Sequence, residues 1–256
     1  MRLLAGVMAL LCTGAVQAQE TGQLVRFITC PIYRDTDFGR KSGCWLADDL
    51  ASGVRYDVTQ SPYKPDWGHE VLVEGRVSDE SPDLCGSPVL NPVRTSILEG
   101  ECPRHMLPAE GYPGRKYELP PRNIAPLSVA RPVPPGPYGQ RTFNFYFEFD
   151  RDFLVYQYDD YLIDQAVTWI RAAKPKKLVV TGYAATTPEE VSGRMIAESP
   201  EIARTRAEAV SITFKRLFPT IDVETHWTLD AQVTDEPDAD GIPGQSQRRV
   251  EMEALF

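Results

Sequence analysis

Ten prolines fall in the 35 residues from Pro103 to Pro137, ending RPVPPGPYG. Proline fixes φ and lacks an N–H, so this density blocks both helix and ladder and favours extended, semi-rigid chain. The run divides the sequence: residues 105–140 read as a Pro-rich linker, or as a strap lying along a domain surface.

Upstream, short β-type runs alternate with turn clusters: LVRFITCPI (24–32), CWLAD (44–48), VRYDV (54–58), VLVEGRV (71–77) and VRTSILE (93–99). Five short strands predict a small all-β domain over 19–104, with an OB-like barrel as the expectation from strand count. That analogy carries no function.

The chain begins MRLLAGVMALLCTGAVQA, one basic residue and then an apolar run from Leu3 to Val16. Small residues at Val16 and Ala18 match a secretory signal peptide, 1–18, cut after Ala18. The run is too short to span a bilayer, and no later segment is long and apolar enough. Cys12 raises a lipoprotein alternative, but Leu11 stands where a small residue is expected. Export to the periplasm is the expectation.

Four cysteines then remain, Cys30, Cys44, Cys85 and Cys102, an even number that reads as two disulfides in an exported chain. Three pairings are open. Cys30 and Cys44 flank the turn-prone Thr36-Asp37-Phe38-Gly39, which favours Cys30–Cys44 with Cys85–Cys102. The formal charge of −9 and pI of about 5.0 argue against nucleic acid and against anionic membrane surfaces.

Downstream of the prolines, TFNFYFEFD places phenylalanines at 143, 145, 147 and 149, and period two predicts all four rings on one sheet face. A helix follows, with Leu162, Ala166, Trp169, Ile170 and Ala173 at helical spacing, Asp159 or Asp160 as cap, and Pro175 as stop. KLVVTGY (177–183) is a strand. Next comes a helix with Ser199 at N-cap, Pro200 at N1 and Pro219 beyond its end. Ile221, Val223 and Trp227 alternate as a strand, and RRVEMEAL supplies the last one. The fold class is therefore α+β: a β-α-β-α-β-β unit over 141–256 behind the disulfide-bonded all-β unit.

The second long helix carries an oddity. Its apolar stripe reads Ile202, Arg206, Ala209, Val210, Thr213, Phe214, Leu217, with a cation inside it. The bland reading has Arg206 snorkelling from a core edge or paired with a nearby carboxylate. The functional reading has its fork gripping an anionic ligand.

FYFEFD, a helix, a strand ending Gly182-Tyr183, RAEAV in a helix and QRRVEM near the end together resemble the OmpA-like peptidoglycan-binding domain. The resemblance spans roughly 141–256. It implies a periplasmic module that holds the diaminopimelate residue of peptidoglycan stem peptides, with Arg206 on the ligand carboxylate and Tyr183 flanking the site. Arg248 and Arg249 match the family's paired arginines. The family's strand continues with Thr and Asp, the aspartate receiving the ligand's ammonium; here Ala184 and Ala185 stand instead, and the loop to Arg206 is about six residues longer. Glu189, Glu190 and Glu198 on that loop either reach back to substitute or are solvated.

VTDEPDADGIPG (233–244) imitates a calcium loop but puts Gln247 where a bidentate Glu is required. His69, His105 and His226 have no metal-ligand spacing, and no nucleophile elbow or phosphate-binding glycine loop is present. The reading is thus a non-catalytic envelope protein without cofactor or metal, associating with peptidoglycan weakly or with altered preference. The alternative is a degenerate OmpA-like scaffold whose β domain binds another envelope protein.

Overall fold

The computed structural model describes residues 20–37, 43–115, 130–153, 158–234 and 241–256. The leader 1–18, the cap side chains Asp159 and Asp160, and residues 235–240 of the calcium-like loop lie outside the described residues.

Hydrophobic alternation in the first half yields seven strands among the described residues. β1 (Leu24–Thr29), β5 (His69–Val77) and β6 (Leu90–Glu101) form an antiparallel sheet in the order β1-β5-β6. β2 (Pro31–Arg34), β3 (Cys44–Asp49), β4 (Val54–Asp57) and β7 (His105–Leu107) form a second, in the order β4-β3-β2-β7. The run 24–32 bends at Cys30 and so serves both sheets. A parallel bridge between Asp57 and Val89 joins their far edges. Val25, Phe27, Ala47, Tyr56, Val71, Val73 and Val93 fill the enclosed core.

Two expectations for this half are corrected. The disulfides are Cys30–Cys102 and Cys44–Cys85, not the hairpin pairing. Cys44 lies opposite Arg34 in the β2–β3 ladder. Cys30 is therefore four residues out of register, roughly 13 Å at ~3.3 Å per residue, beyond disulfide reach. The β unit also extends past 104 into the expected linker. β7 pairs parallel with β2, and Arg115 closes an ion pair on the buried Asp57 at 3.1 Å. At the linker's other end Tyr138 packs edge-on to Trp169, and Arg131 reaches Asp164. The described prolines thus lie along the two units.

The second half forms a four-stranded sheet in the order β12-β9-β13-β8, built from β8 (Arg141–Tyr146), β9 (Lys177–Tyr183), β12 (Asp222–Thr228) and β13 (Arg249–Leu255). β9 and β12 run parallel; the other pairs are antiparallel. Helices α1 (Tyr158–Ala173) and α2 (Pro200–Leu217) bury Leu162, Ala166, Trp169, Ile170, Ala207, Val210 and Phe214 with residues of the sheet. α2 starts as expected: the Ser199 hydroxyl accepts from the Glu201 N–H and Pro200 follows.

Its buried face is turned from the predicted stripe. Ala203, Arg206, Ala207, Val210, Ser211 and Phe214 face in, while Ala209, Thr213 and Leu217 are exposed. Small residues win because the backbones approach closely. A Cβ at Gly182 on β9 would lie 2.0 Å from the Ala203 carbonyl oxygen.

The phenylalanine ladder also breaks. Phe143, Phe145 and Phe147 enter the core of this half. β8 ends at Tyr146, and Phe149 instead joins Ile28, Leu72 and Val191 in a cluster shared by both halves.

The long loop before α2 accounts for that cluster. It folds into a hairpin of β10 (Glu189–Val191) and β11 (Arg194–Ile196). Ser192 and Gly193 both have positive φ (50° and 74°), the backbone a tight two-residue hairpin turn requires. The hairpin docks on the first half: the Ile28 N–H donates to the Ser192 hydroxyl at 2.9 Å, and Arg194 pairs with Glu70 at 2.7 Å. No helix among the described residues is long and apolar enough to cross a membrane.

Candidate functional site

Arg206 projects from the N-terminal half of α2 and is fully buried. A guanidinium has five N–H donors, and here five hydrogen bonds are made. Nε donates to the Arg151 carbonyl at 2.7 Å. Nη1 donates to the Tyr183 carbonyl at 3.1 Å and to Glu198 Oε2 at 2.9 Å. Nη2 donates to the Glu148 carbonyl at 3.0 Å and to Glu198 Oε1 at 2.6 Å. The Phe147 ring lies beneath, 5.0 Å from Cζ.

Glu198 therefore presents the two-oxygen fork that the resemblance assigns to a ligand carboxylate. Its own remaining acceptor capacity is used as well: Oε1 takes the Asp150 N–H and Oε2 the Ala185 N–H, each at 2.7 Å. Burial by itself would push this carboxyl upward. The attraction and hydrogen bonds of Arg206 outweigh burial and hold it below the ordinary glutamate range. Of the three loop glutamates weighed above, Glu198 is buried, Glu190 is exposed, and Glu189 pairs at the surface with Arg26.

Ala184 is buried and Ala185 offers only its backbone to the site. An aspartate at 185 would bring a second carboxylate against Glu198 with one guanidinium between them. Absence of the acid and presence of Glu198 are thus mutually consistent in charge.

Tyr183 is placed differently from the expectation. Burial alternates along β9, with Leu178, Val180 and Gly182 buried toward the helices and Tyr183 directed to the other face. Its carbonyl meets Arg206, while its phenol donates to Glu251 Oε2 at 2.7 Å. Arg249 stacks on the ring at 4.2 Å and bonds Glu251 Oε1 at 2.9 Å. Burial, then Glu251, push the phenol up to about 12.

A residue from the other half completes the site, and the sequence offered no sign of it. Glu74 on β5 forks onto the buried Arg248 at 2.5 and 3.4 Å and also pairs with Arg26 at 3.1 Å. Gly244 makes room, since a Cβ there would lie 2.1 Å from Glu74 Oε1. Glu148, which follows Phe147 just past the end of β8 and is buried, makes no ion pair within 4 Å among the described residues, and burial pushes its carboxyl up to about 7 against the opposing pull of Arg151 and Arg248.

No group of three or more potential metal ligands forms among the described residues. Compared with known proteins, the sequence matches no family model and no curated protein sequence. Among solved structures it is similar to the OmpA-like domain of FopA1 from Francisella tularensis subsp. tularensis SCHU S4, at 19% identity and a TM-score of 0.32, covering 45% of this chain and 71% of that one. A score that low carries no argument about fold or ligand.

Proposed function

We propose that this chain is an exported, non-catalytic cell-envelope protein in which an OB-type β barrel is locked against an OmpA-like unit, and that it works as a protein–protein interaction module and not as a wall anchor. The barrel reading is supported by strand connectivity: the bent β1–β2 strand is shared by both sheets, and the Asp57–Val89 bridge brings the third and fifth segments together in parallel. The OmpA-like reading is supported by the order β8-α1-β9-α2-β12-β13, with the β10–β11 hairpin inserted before α2, and by Arg206 and Arg248, both buried and both acting on Glu198. Two disulfides fit an oxidising compartment such as the periplasm.

One observation carries the choice between wall binding and scaffold. Every donor of Arg206 is spent inside the protein, two of them on Glu198. A stem-peptide carboxylate would have to displace a buried, doubly hydrogen-bonded glutamate. A free carboxylate from solvent must also give up its hydration, whereas Glu198 is already desolvated and covalently tethered.

Co-sedimentation of the purified full chain with peptidoglycan sacculi, with a parallel diaminopimelate titration, tests this. Wild type is expected to stay in the supernatant and to give no saturable heat. Wild-type pelleting that is lost in both Glu198→Lys and Arg206→Lys would overturn the scaffold reading in favour of diaminopimelate binding.

A further inference from the structure

A second arginine, in the β unit, is in the opposite condition to Arg206. Arg34 ends β2, and its residue is 7% exposed. Its Nε and Nη1 are sealed from solvent and have no hydrogen-bond partner, and it makes no ion pair among the described residues. The Tyr112 ring covers it, 4.3 Å from Cζ. Such a ring supplies a face for the cation but no hydrogen-bond acceptor in the guanidinium plane.

The ladder register shows which described acids share its sheet face. Cross-strand partners share a sheet face, so Arg34 with Cys44, Asp48 with Arg55, and Leu46 with Asp57 stand on the same side of β2–β3–β4. Each carboxylate there is already engaged. Asp48 takes Arg55 through both oxygens at 2.5 and 2.9 Å. Asp57 takes Arg115 at 3.1 Å. Asp49 alternates to the other face but lines the same cavity as Asp48, and it accepts from the Ala51 N–H at 3.1 Å and the Ser52 hydroxyl at 2.6 Å.

Arg34 lines an open cavity of about 510 Å³, between this sheet face and the segment Gly86–Pro88 that the Cys44–Cys85 disulfide pins down. Ser87 lines it too, and Leu50, 83% exposed, stands at its rim. A buried cation with vacant donors is costly unless an acceptor is supplied. Among the described residues none supplies that acceptor, which leaves the role to a ligand.

We infer that this cavity is a binding site for a carboxylate, held by Arg34 with Ser87 beside it and with Leu50 against the apolar part of the ligand. A carboxylate matches the planar guanidinium fork. The volume suits a small organic acid or the last residues of a peptide, and the two sources are separable by experiment. This site is independent of the Arg206 region, so its test does not depend on the scaffold reading.

Isothermal titration of the oxidised full chain uses acetate, N-acetylalanine, N-acetyl-dialanine, N-acetylalaninamide and inorganic phosphate as probes. Saturable binding of the carboxylates, none of the amide, and a loss of about tenfold or more in Arg34→Gln is the expected result. Tighter binding of N-acetyl-dialanine than of acetate identifies a peptide C-terminus; equal binding identifies a free acid. Leu50→Glu, an exposed change that leaves the fold alone, is expected to weaken carboxylate binding several-fold by like-charge repulsion, and it carries the test if Arg34→Gln does not fold. Absence of saturable binding by wild type, phosphate binding tighter than every carboxylate, or unchanged affinity in Leu50→Glu together with any folded Arg34→Gln overturns the assignment.

Discussion

Glu74 and Arg248 stand 174 residues apart in sequence and form a buried, two-oxygen ion pair that joins the β unit to the α/β unit. Ile28 and Leu72 pack with Phe149 and Val191 beside it, and the Ser96 hydroxyl accepts from the Phe149 N–H at 2.9 Å. The contact is therefore apolar at its centre and ionic where Arg248 would otherwise be left with a bare charge. Burying an unpaired guanidinium costs several kcal/mol, so the joined arrangement of the halves depends on Glu74 standing opposite Arg248.

Gly244→Ala probes that joint directly. The added methyl overlaps Glu74 Oε1 and approaches Arg248 Nη1 to 2.9 Å, so the carboxylate has to move. A loss of about 2 kcal/mol or more is expected, of the size seen when a buried charge pair is disturbed. In Glu74→Ala the same methyl meets no oxygen, so the double variant should lose less than the sum of the single ones. Additive losses in urea midpoints would show that Gly244 is not shaped by Glu74.

Glu198→Gln should destabilise by about 3–5 kcal/mol, because it leaves Arg206 charged and buried without a counter-ion. Combined with Arg206→Met, the further loss should be small, since the charge that needed neutralising is gone. The three carbonyls of Arg151, Tyr183 and Glu148 still lose their donor, so the double variant does not return to wild type. A thermodynamic cycle from denaturant titrations measures the coupling; a value near zero would contradict the pairing.

Much of this was legible in the residues, and the failures have physical causes. Strand and helix periods placed the α/β elements in order, and Ser199-Pro200 marked the start of α2. Arg206 stood out because a cation inside an apolar stripe needs a reason. Its partner was visible only as one of three loop glutamates, since sequence spacing does not say which carboxylate a β-hairpin folds inward. Glu74 was invisible because an acid within VLVEGRV looks like the polar side of an alternating strand. The disulfide pairing was missed because symmetry about a turn is not ladder register; one strand offset moved Cys30 out of reach of Cys44.

Disulfide mapping checks that register. Non-reducing peptide analysis should recover a Cys30–Cys102 and a Cys44–Cys85 cross-link, and no Cys30–Cys44 species. The bridges span 72 and 41 residues. On the chain-entropy estimate each contributes about 4 kcal/mol, so Cys44→Ser/Cys85→Ser should lower the urea midpoint markedly. The same pair change should also loosen the wall of the Arg34 cavity.

The pH dependence of stability should have opposite slopes on its two sides. Glu148 is held protonated up to about 7 by burial, against an ordinary value of 4.5. Between those values the folded chain keeps a proton that the unfolded chain has released, so stability falls as pH rises through this window. The difference, 7 minus 4.5, corresponds to about 3 kcal/mol as an upper figure. Glu198 acts in the other direction: its carboxyl is depressed by Arg206, so its contribution is present above the ordinary glutamate range and is lost as the solution becomes more acid. Glu148→Gln carries no ionisable group and should remove the fall between pH 5 and 8 while leaving the acid limb intact. Urea midpoints for both proteins across that range decide it, and parallel curves would mean that Glu148 is not the group responsible.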